Sequence, residues 1–498
     1  MTLQCRINRE VEKLSGRNLT MATDLYQLTM LYGYFKTGTA DRKGVFDLFF
    51  RRLPWNGGYA VAAGLEQAID YVRELKFTKE DCSYLRSLGL FSEEFLEYLG
   101  KLRFTGDMDA VPEGTPIFPN EPMIRVTAPI AEAQLLETAL ANIMNHQTLI
   151  ATKAARVREA AGDTEVMEFG LRRAQGPDAG LYGSRAAFIG GCDSTSNVQA
   201  GQLFGIPVQG THAHSWVMGF PDELSAFQAY AQTYPKACLL LVDTYDTLRS
   251  GVPNAIKVAK ELEAQGGKFL GIRLDSGDLA YLSKVARQML DEAGLTHAKI
   301  VASGDLDEET IQDLKMQNAK IDSWGVGTKL ITGGDNPALG GVYKLAALEE
   351  NGQLVPKLKV SENAEKTTEP GIKETVRFYS RENGKALADL LVLAHEKVPA
   401  HGPLTIFDPV DTWKRKTLRD YDIEKILVPV FRKGKQIYEC PSIQAIQVYG
   451  REQLDRFWPE YKRLKNPEEY IVDLSEELWN LKHSMIRELR ASYTEQVF

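Results

Sequence analysis

Between residues 237 and 326 short apolar runs alternate with amphipathic stretches, and this rhythm restricts the fold more than any other feature of the chain. Residues 237–242, 269–272, 299–302 and 323–326 read as strands; residues 255–264, 279–293 and 308–318 carry helical patterning between them. Strand starts fall roughly 20–30 residues apart, the spacing of βα units in a parallel barrel or sheet. Each strand ends in polar residues: Asp243 and Asp246; Arg273, Asp275, Ser276 and Asp278; Ser303, Gly304 and Asp305; Gly327, Thr328 and Lys329. Parallel strands expose their chemistry at their carboxyl ends, so these groups converge on one face. Helix capping explains any single Asp or Ser. It explains the whole set less well, and it does not predict Arg273.

An earlier segment points the same way. Residues 204–208 read as a short strand leading into Gly210-Thr211-His212-Ala213-His214-Ser215, which holds two of the seven histidines. Imidazole exchanges protons, or acts as a nucleophile, near neutral pH. A capped turn with one buried and one solvated histidine is the bland alternative, and the strand-end pattern favours the active-site edge. Gly325-Val326-Gly327-Thr328 leaves backbone N–H groups open to a phosphate. Gly170-Leu171-Arg172-Arg173 supplies guanidinium groups suited to phosphate or carboxylate, with a surface salt bridge expected for one of the pair, Arg173. Asp275 and Asp278 have a spacing that serves either a hydrated Mg²⁺ beside a diphosphate or a helix cap. Phe169 suits stacking on a flat ring and core packing equally.

The rest of the chain is less specific. Residues 1–18 form a polar lead, a capped helix begins after Thr23-Asp24, residues 45–50 read as a strand, and residues 131–157 as one helix. The first third is therefore mixed α+β. Residues 350–376 are expected to be an irregular surface loop, and the last 120 or so residues mix short strands with helices. A net charge of −8 gives no basic field for nucleic acid. Five scattered cysteines suggest neither a disulfide framework nor a zinc site, and fit a reducing compartment. No signal-peptide pattern and no membrane-length apolar run is visible, so the cytoplasm is the expected location.

Taken in order, Thr23-Asp24-Leu25-Tyr26-Gln27, Phe49-Phe50-Arg51-Arg52, Glu168 to Asp178, Ser194-Thr195-Ser196-Asn197-Val198, Gly210 to Ser215, Arg273-Leu274-Asp275-Ser276-Gly277-Asp278 and Gly325 to Thr328 form a specific set. In it the chain resembles the nicotinate phosphoribosyltransferases, ATP-coupled enzymes of NAD salvage. The resemblance implies an irregular α/β barrel over about residues 146–349, an α+β domain over 1–145, and a segment 350–498 that completes the latter. It implies a homodimer with shared sites, Mg²⁺, and the substrates nicotinate, phosphoribosyl diphosphate and ATP. It assigns the phosphorylated histidine to His214 and leaves His212 a bystander. Tyr26, Phe169, Ser196, Thr211 and Arg273 match nicotinate-binding positions. Arg172, Asp275, Ser303, Gly327 and Thr328 match phosphoribosyl diphosphate positions, with Asp275 also catalytic. Ser196 stands where the related nicotinamide enzyme carries an aspartate, which favours an anionic base. Nicotinamide phosphoribosyltransfer is the nearest alternative; a non-catalytic nucleotide or sugar-phosphate sensor is the alternative from another class.

Overall fold

The computed structural model describes residues 18–361, 363 and 366–494, so the polar lead expected over residues 1–18 lies outside it except for Asn18. Two compact units emerge: residues up to Leu149 together with those from Ala338 onward, and Ile150–Pro337.

The second unit carries the βα rhythm. Its strands are β1 (Glu165–Glu168), β2 (Ser194–Thr195), β3 (Cys238–Leu241), β4 (Phe269–Leu274), β5 (Lys299–Ser303) and β6 (Ser323–Val326). They form one sheet in the order β2-β1-β6-β5-β4-β3, with every pair parallel. Except for β2 and β3, each strand neighbours the next in sequence, and β6 returns to β1, so the sheet curls into a barrel that is open between β2 and β3. An irregular segment crosses the opening. Thr195 N donates to Pro207 O and Gln209 N to Thr195 O, both at 3.0 Å. On the other side Leu241 N of β3 donates to His212 Nε2 at 3.2 Å. The strand expected over 204–208 is reduced to a single bridge between Val208 and Thr195: Val198–Phe204 is helical, and Gly205, at φ 70°, ends that helix in the left-handed conformation that glycine adopts without strain. The helices outside the barrel are amphipathic. Val252–Ala264 buries Val252, Ala255, Val258, Ala259 and Leu262, one stripe at helical spacing.

The first unit is built on a seven-stranded antiparallel sheet in the order Gln353–Pro356, Val342–Glu350, Lys43–Phe49, Ile124–Pro129, Asp107–Ala110, Val428–Arg432 and Lys435–Gln436. Strand Val342–Glu350 therefore belongs here, not to the barrel segment ending at 349. The irregular loop expected over 350–376 opens instead with a hairpin. Asn351 and Gly352, at φ 50° and 79°, turn the chain so that Gln353–Pro356 pairs back on Val342–Glu350. Two successive positive φ values are what an Asn-Gly hairpin turn supplies. The helix expected over 131–157 is two, Ile130–Leu135 and Glu137–Ala161, separated at Leu136. No helix among the described residues is long and apolar enough to cross a membrane.

A second sheet in this unit runs Tyr421–Lys425, Lys373–Ser380, Ala386–Leu393 and Val472–Leu474. Its centre holds a fully buried ion pair. Arg377 Nε and Nη2 reach the Asp389 carboxylate at 2.8 and 2.7 Å, and Tyr470 Oη donates to the same carboxylate at 2.9 Å. The rings of Phe118 and Phe457 lie 5.4 and 5.2 Å from the guanidinium. Removing one partner of such a pair leaves an uncompensated buried charge, at a cost of about 3–5 kcal/mol. Asp389→Ala should lose that much stability in urea unfolding; a loss under about 1 kcal/mol would show that the pair is not what holds this sheet.

Candidate active site

A cavity of about 530 Å³ lies within the barrel unit and is lined largely by residues at the carboxyl ends of its strands. At its centre is Arg273, the penultimate residue of β4. Its Nε donates to Ser303 Oγ at 2.8 Å, Nη1 to Thr211 Oγ1 at 3.0 Å and Nη2 to Asp275 Oδ1 at 2.7 Å. Ser303, the last residue of β5, also donates to Asp275 Oδ1, at 2.5 Å. Three of the five guanidinium N–H groups are thereby used, and two remain for a ligand. The Phe169 ring lies under the guanidinium, 5.6 Å from its carbon to the ring centroid. That ring needs Gly325: a Cβ there would fall 2.6 Å from it. Burial pushes the Asp275 carboxyl up, but Ser303 and Arg273 outweigh it, and the net shift is down, so the group is ionised near neutral pH. Gly304, at φ 92°, follows directly; a Cβ on it would lie 2.1 Å from Asp275 O. Only glycine lets β5 and β4 end this close together.

The arginine loop opens onto the same cavity. Leu171–Arg173 is one turn of 3₁₀ helix, and both Arg172 and Arg173 line the space. Neither pairs with a carboxylate among the described residues, so the surface salt bridge expected for Arg173 is absent. Ser196, Gly327 and Thr328 line it as well.

His214 sits at the start of the helical turn His214–Met218. Its Nε2 is 3.2 Å from Asp243 Oδ1, and its ring is 40% exposed whereas the Asp243 side chain is 2% exposed. Asp243 Oδ2 accepts from Asp275 N at 3.1 Å and from Ser276 Oγ at 2.5 Å. A carboxylate so anchored holds the imidazole as the Nε2–H tautomer and leaves the Nδ1 lone pair free. Asp243 was visible in the sequence only as one strand-end carboxylate among several; its partner His214 is 29 residues away, and nothing local joins them. His212 has a different task. It is buried against Tyr230, accepts from Leu241 N, and burial pushes its pKa down to about 4. It is a closing strut of the barrel.

Two expected site residues lie elsewhere. Asp278 caps helix Leu279–Glu292 by accepting from Tyr281 N, and it does not line the cavity. Tyr26 belongs to the other unit, on helix Leu25–Lys36, where Leu25, Tyr26 and Met30 form an exposed apolar row. Among the described residues no three His, Cys, Asp or Glu side chains are grouped closely enough to hold a metal by themselves.

Free arginines, open glycine backbone and a carboxylate-held histidine at the mouth of a parallel barrel are the apparatus of an enzyme that handles phosphorylated substrates. Models of the nicotinate phosphoribosyltransferase N-terminal domain, family region and C-terminal domain match residues 21–145, 164–384 and 372–482. A nicotinate phosphoribosyltransferase of Bacillus subtilis (strain 168) is 52% identical over 480 residues, covering 96% of this chain and 98% of that one. The crystal structure of human nicotinic acid phosphoribosyltransferase superposes with a TM-score of 0.82 at 35% identity, covering 93% of this chain and 99% of that one. A nicotinate-nucleotide pyrophosphorylase from Pyrococcus furiosus shares the fold, with a TM-score of 0.66 at 23% identity over 90% of this chain and 97% of its own. The chain belongs to the nicotinate phosphoribosyltransferase family.

His212 gives a pH prediction. Its pKa is depressed from 6.5 to about 4 in the folded state. Between those values the unfolded chain binds the proton and the folded one does not, so stability falls as pH drops through that window. By pH 4.5 the loss from this group should approach about 2–3 kcal/mol. His212→Gln keeps an acceptor for Leu241 N and should flatten the pH dependence of urea unfolding by that amount. Identical pH profiles for the two proteins would contradict the assignment.

Proposed function

We propose that the chain transfers the phosphoribosyl group of phosphoribosyl diphosphate to the ring nitrogen of nicotinate, yielding nicotinate mononucleotide and diphosphate in NAD salvage, coupled to ATP through His214. The observation that carries this reading is the fixed guanidinium of Arg273, with two N–H groups to spare, on the face of Phe169. A planar ring bearing a carboxylate satisfies both groups at once. Ser196, with a hydroxyl and no charge, adds no repulsion to such an anion. The relatives from Bacillus subtilis and human carry the nicotinate name, which does not favour the nicotinamide alternative.

In the transfer, the bond from C1 of the ribose to the diphosphate oxygen breaks as the nicotinate nitrogen lone pair forms the new bond to C1. The bond electrons leave with the diphosphate, so no proton needs moving and no general base is required. Arg172 and the backbone around Gly327 and Thr328 take up the charge of the departing diphosphate. Asp275, held ionised by Arg273 and Ser303, stabilises the cationic ribose or its hydroxyls. Mg²⁺ suits the site as an ion carried in by the diphosphate, since Asp275 and Asp305 both line the cavity and Mg²⁺ commonly uses one or two carboxylates plus phosphate oxygens. Bound there, it would neutralise charge on the leaving group.

In the ATP step, Nδ1 of His214 attacks the γ-phosphorus; an N–P bond forms, the bond to the bridging oxygen breaks, and ADP leaves with that electron pair. Asp243 stabilises the imidazolium side of the ring throughout. The same carboxylate holds Asp275 N, so charge added at His214 bears directly on the loop that carries Asp275.

We also propose a homodimer with shared sites in which Tyr26, exposed beside Leu25 and Met30 on helix Leu25–Lys36, meets the base bound by a second copy.

Three outcomes are expected. With nicotinate, phosphoribosyl diphosphate and Mg²⁺, product forms and ATP increases it, with phosphate from the γ position found on His214; Asp243→Asn lowers that labelling about 100-fold. A His214→Ala chain with undiminished ATP stimulation would refute the coupling. Arg273→Ala should raise the nicotinate KM at least tenfold, the loss of a charge-assisted pair worth roughly 1.5–3 kcal/mol; an unchanged KM would remove the carboxylate from this position. Mixing Tyr26→Ala chains with Arg273→Ala chains should restore part of the activity through hybrid dimers carrying one intact site, and mixtures no better than either parent would rule out shared sites.

A further inference from the structure

Glu168 ends β1 and is fully buried. One carboxylate oxygen, Oε1, accepts from Gly170 N; the other, Oε2, accepts from Ser184 Oγ at 2.7 Å and Thr195 Oγ1 at 2.6 Å. Three separate pieces of the barrel mouth meet on this one group: the loop Phe169 to Arg173, helix Pro177–Ile189, and β2. The backbone acts in the same sense. Ser196 N donates to Glu168 O at 2.9 Å, and Phe169 N to Val326 O at 2.8 Å. The hydroxyl of Thr195 then accepts from Asn197 N at 3.0 Å, which fixes the turn after β2. The loop has little alternative packing, because a Cβ on Gly170 would lie 2.4 Å from that of Ile331.

A carboxylate in such a place is costly to bury, and an apolar side chain would fill the same volume without that cost. What the carboxylate adds is direction. It accepts from donors on the arginine loop and on β2, and the residues beside those donors, Phe169 before Gly170, Arg172 two residues after it and Ser196 directly after Thr195, all line the cavity. Asp243 and His214 share no hydrogen bond with this group.

We propose that Glu168 is a positioning residue, which holds Phe169, Arg172 and Ser196 in register and thereby sets the affinity of the cavity for both the pyridine base and the phosphoribosyl donor. It rests on the transferase reading above. Glu168→Gln keeps the volume but offers one acceptor oxygen where the carboxylate offers two. In the full-length chain this variant should raise the KM for nicotinate and for phosphoribosyl diphosphate about tenfold each and weaken nicotinate binding in calorimetry by a similar factor. Labelling of His214 by ATP should stay within twofold. That split separates positioning from general damage, which would lower labelling in proportion. Ser184→Ala removes one donor from outside the cavity lining and should shift both KM values two- to threefold in the same direction, so it decides the matter if Glu168→Gln does not fold. Unchanged KM values in either folded variant, or equal losses in labelling and transfer, would overturn the proposal. The unsubstituted chain run alongside tests the transferase reading itself: if it forms no nicotinate mononucleotide, that reading falls, and this one with it.

Discussion

The guanidinium of Arg273 is the interaction on which the site depends. It ties β4 to Thr211 in the irregular segment that crosses the barrel opening, to Ser303 at the end of β5, and to Asp275 two residues along its own chain. A half-buried cation with three fixed acceptors cannot swing away without leaving each of them unpaired. It therefore holds the cavity shape before any substrate arrives, and its guanidinium lines the cavity as a preorganised donor. The glycines at 304 and 325 follow from it, since the strands and the Phe169 ring can approach this closely only where no Cβ intervenes.

A second carboxylate joins the two halves of the chemistry. Asp243 holds the His214 ring with one oxygen and the backbone of Asp275 with the other. The histidine proposed to carry phosphate and the carboxylate proposed to face the ribose thus lean on the same buried group. The segment Gly210 to Ser215 then has three distinct duties: Thr211 braces Arg273, His212 closes the barrel by accepting from β3, and His214 presents a free nitrogen.

Much of this was legible in the sequence because βα units write themselves locally. Apolar runs gave the strands between 237 and 326 within a residue or two, and the polar residues at the ends of the last three gave part of the cavity. Where local signals conflict, tertiary context decided. Gly205 ended a helix where a strand was expected, and Asn351-Gly352 made a hairpin inside a polar stretch that looked irregular. Asp278 had the right type and spacing for a metal and was taken instead by a helix N-terminus. Asp243 and Glu168 could not be singled out at all, because their partners lie far away in sequence or act through backbone N–H groups that every residue carries.

The most direct test of the account is a crystal structure of the chain with nicotinate mononucleotide bound. The pyridine ring should lie on Phe169 with its carboxylate within hydrogen-bonding distance of Arg273, and the phosphate should lie toward Arg172 and Thr328. A ring seated away from Phe169, or a carboxylate held by Arg172 with Arg273 still bound only to its protein partners, would contradict it.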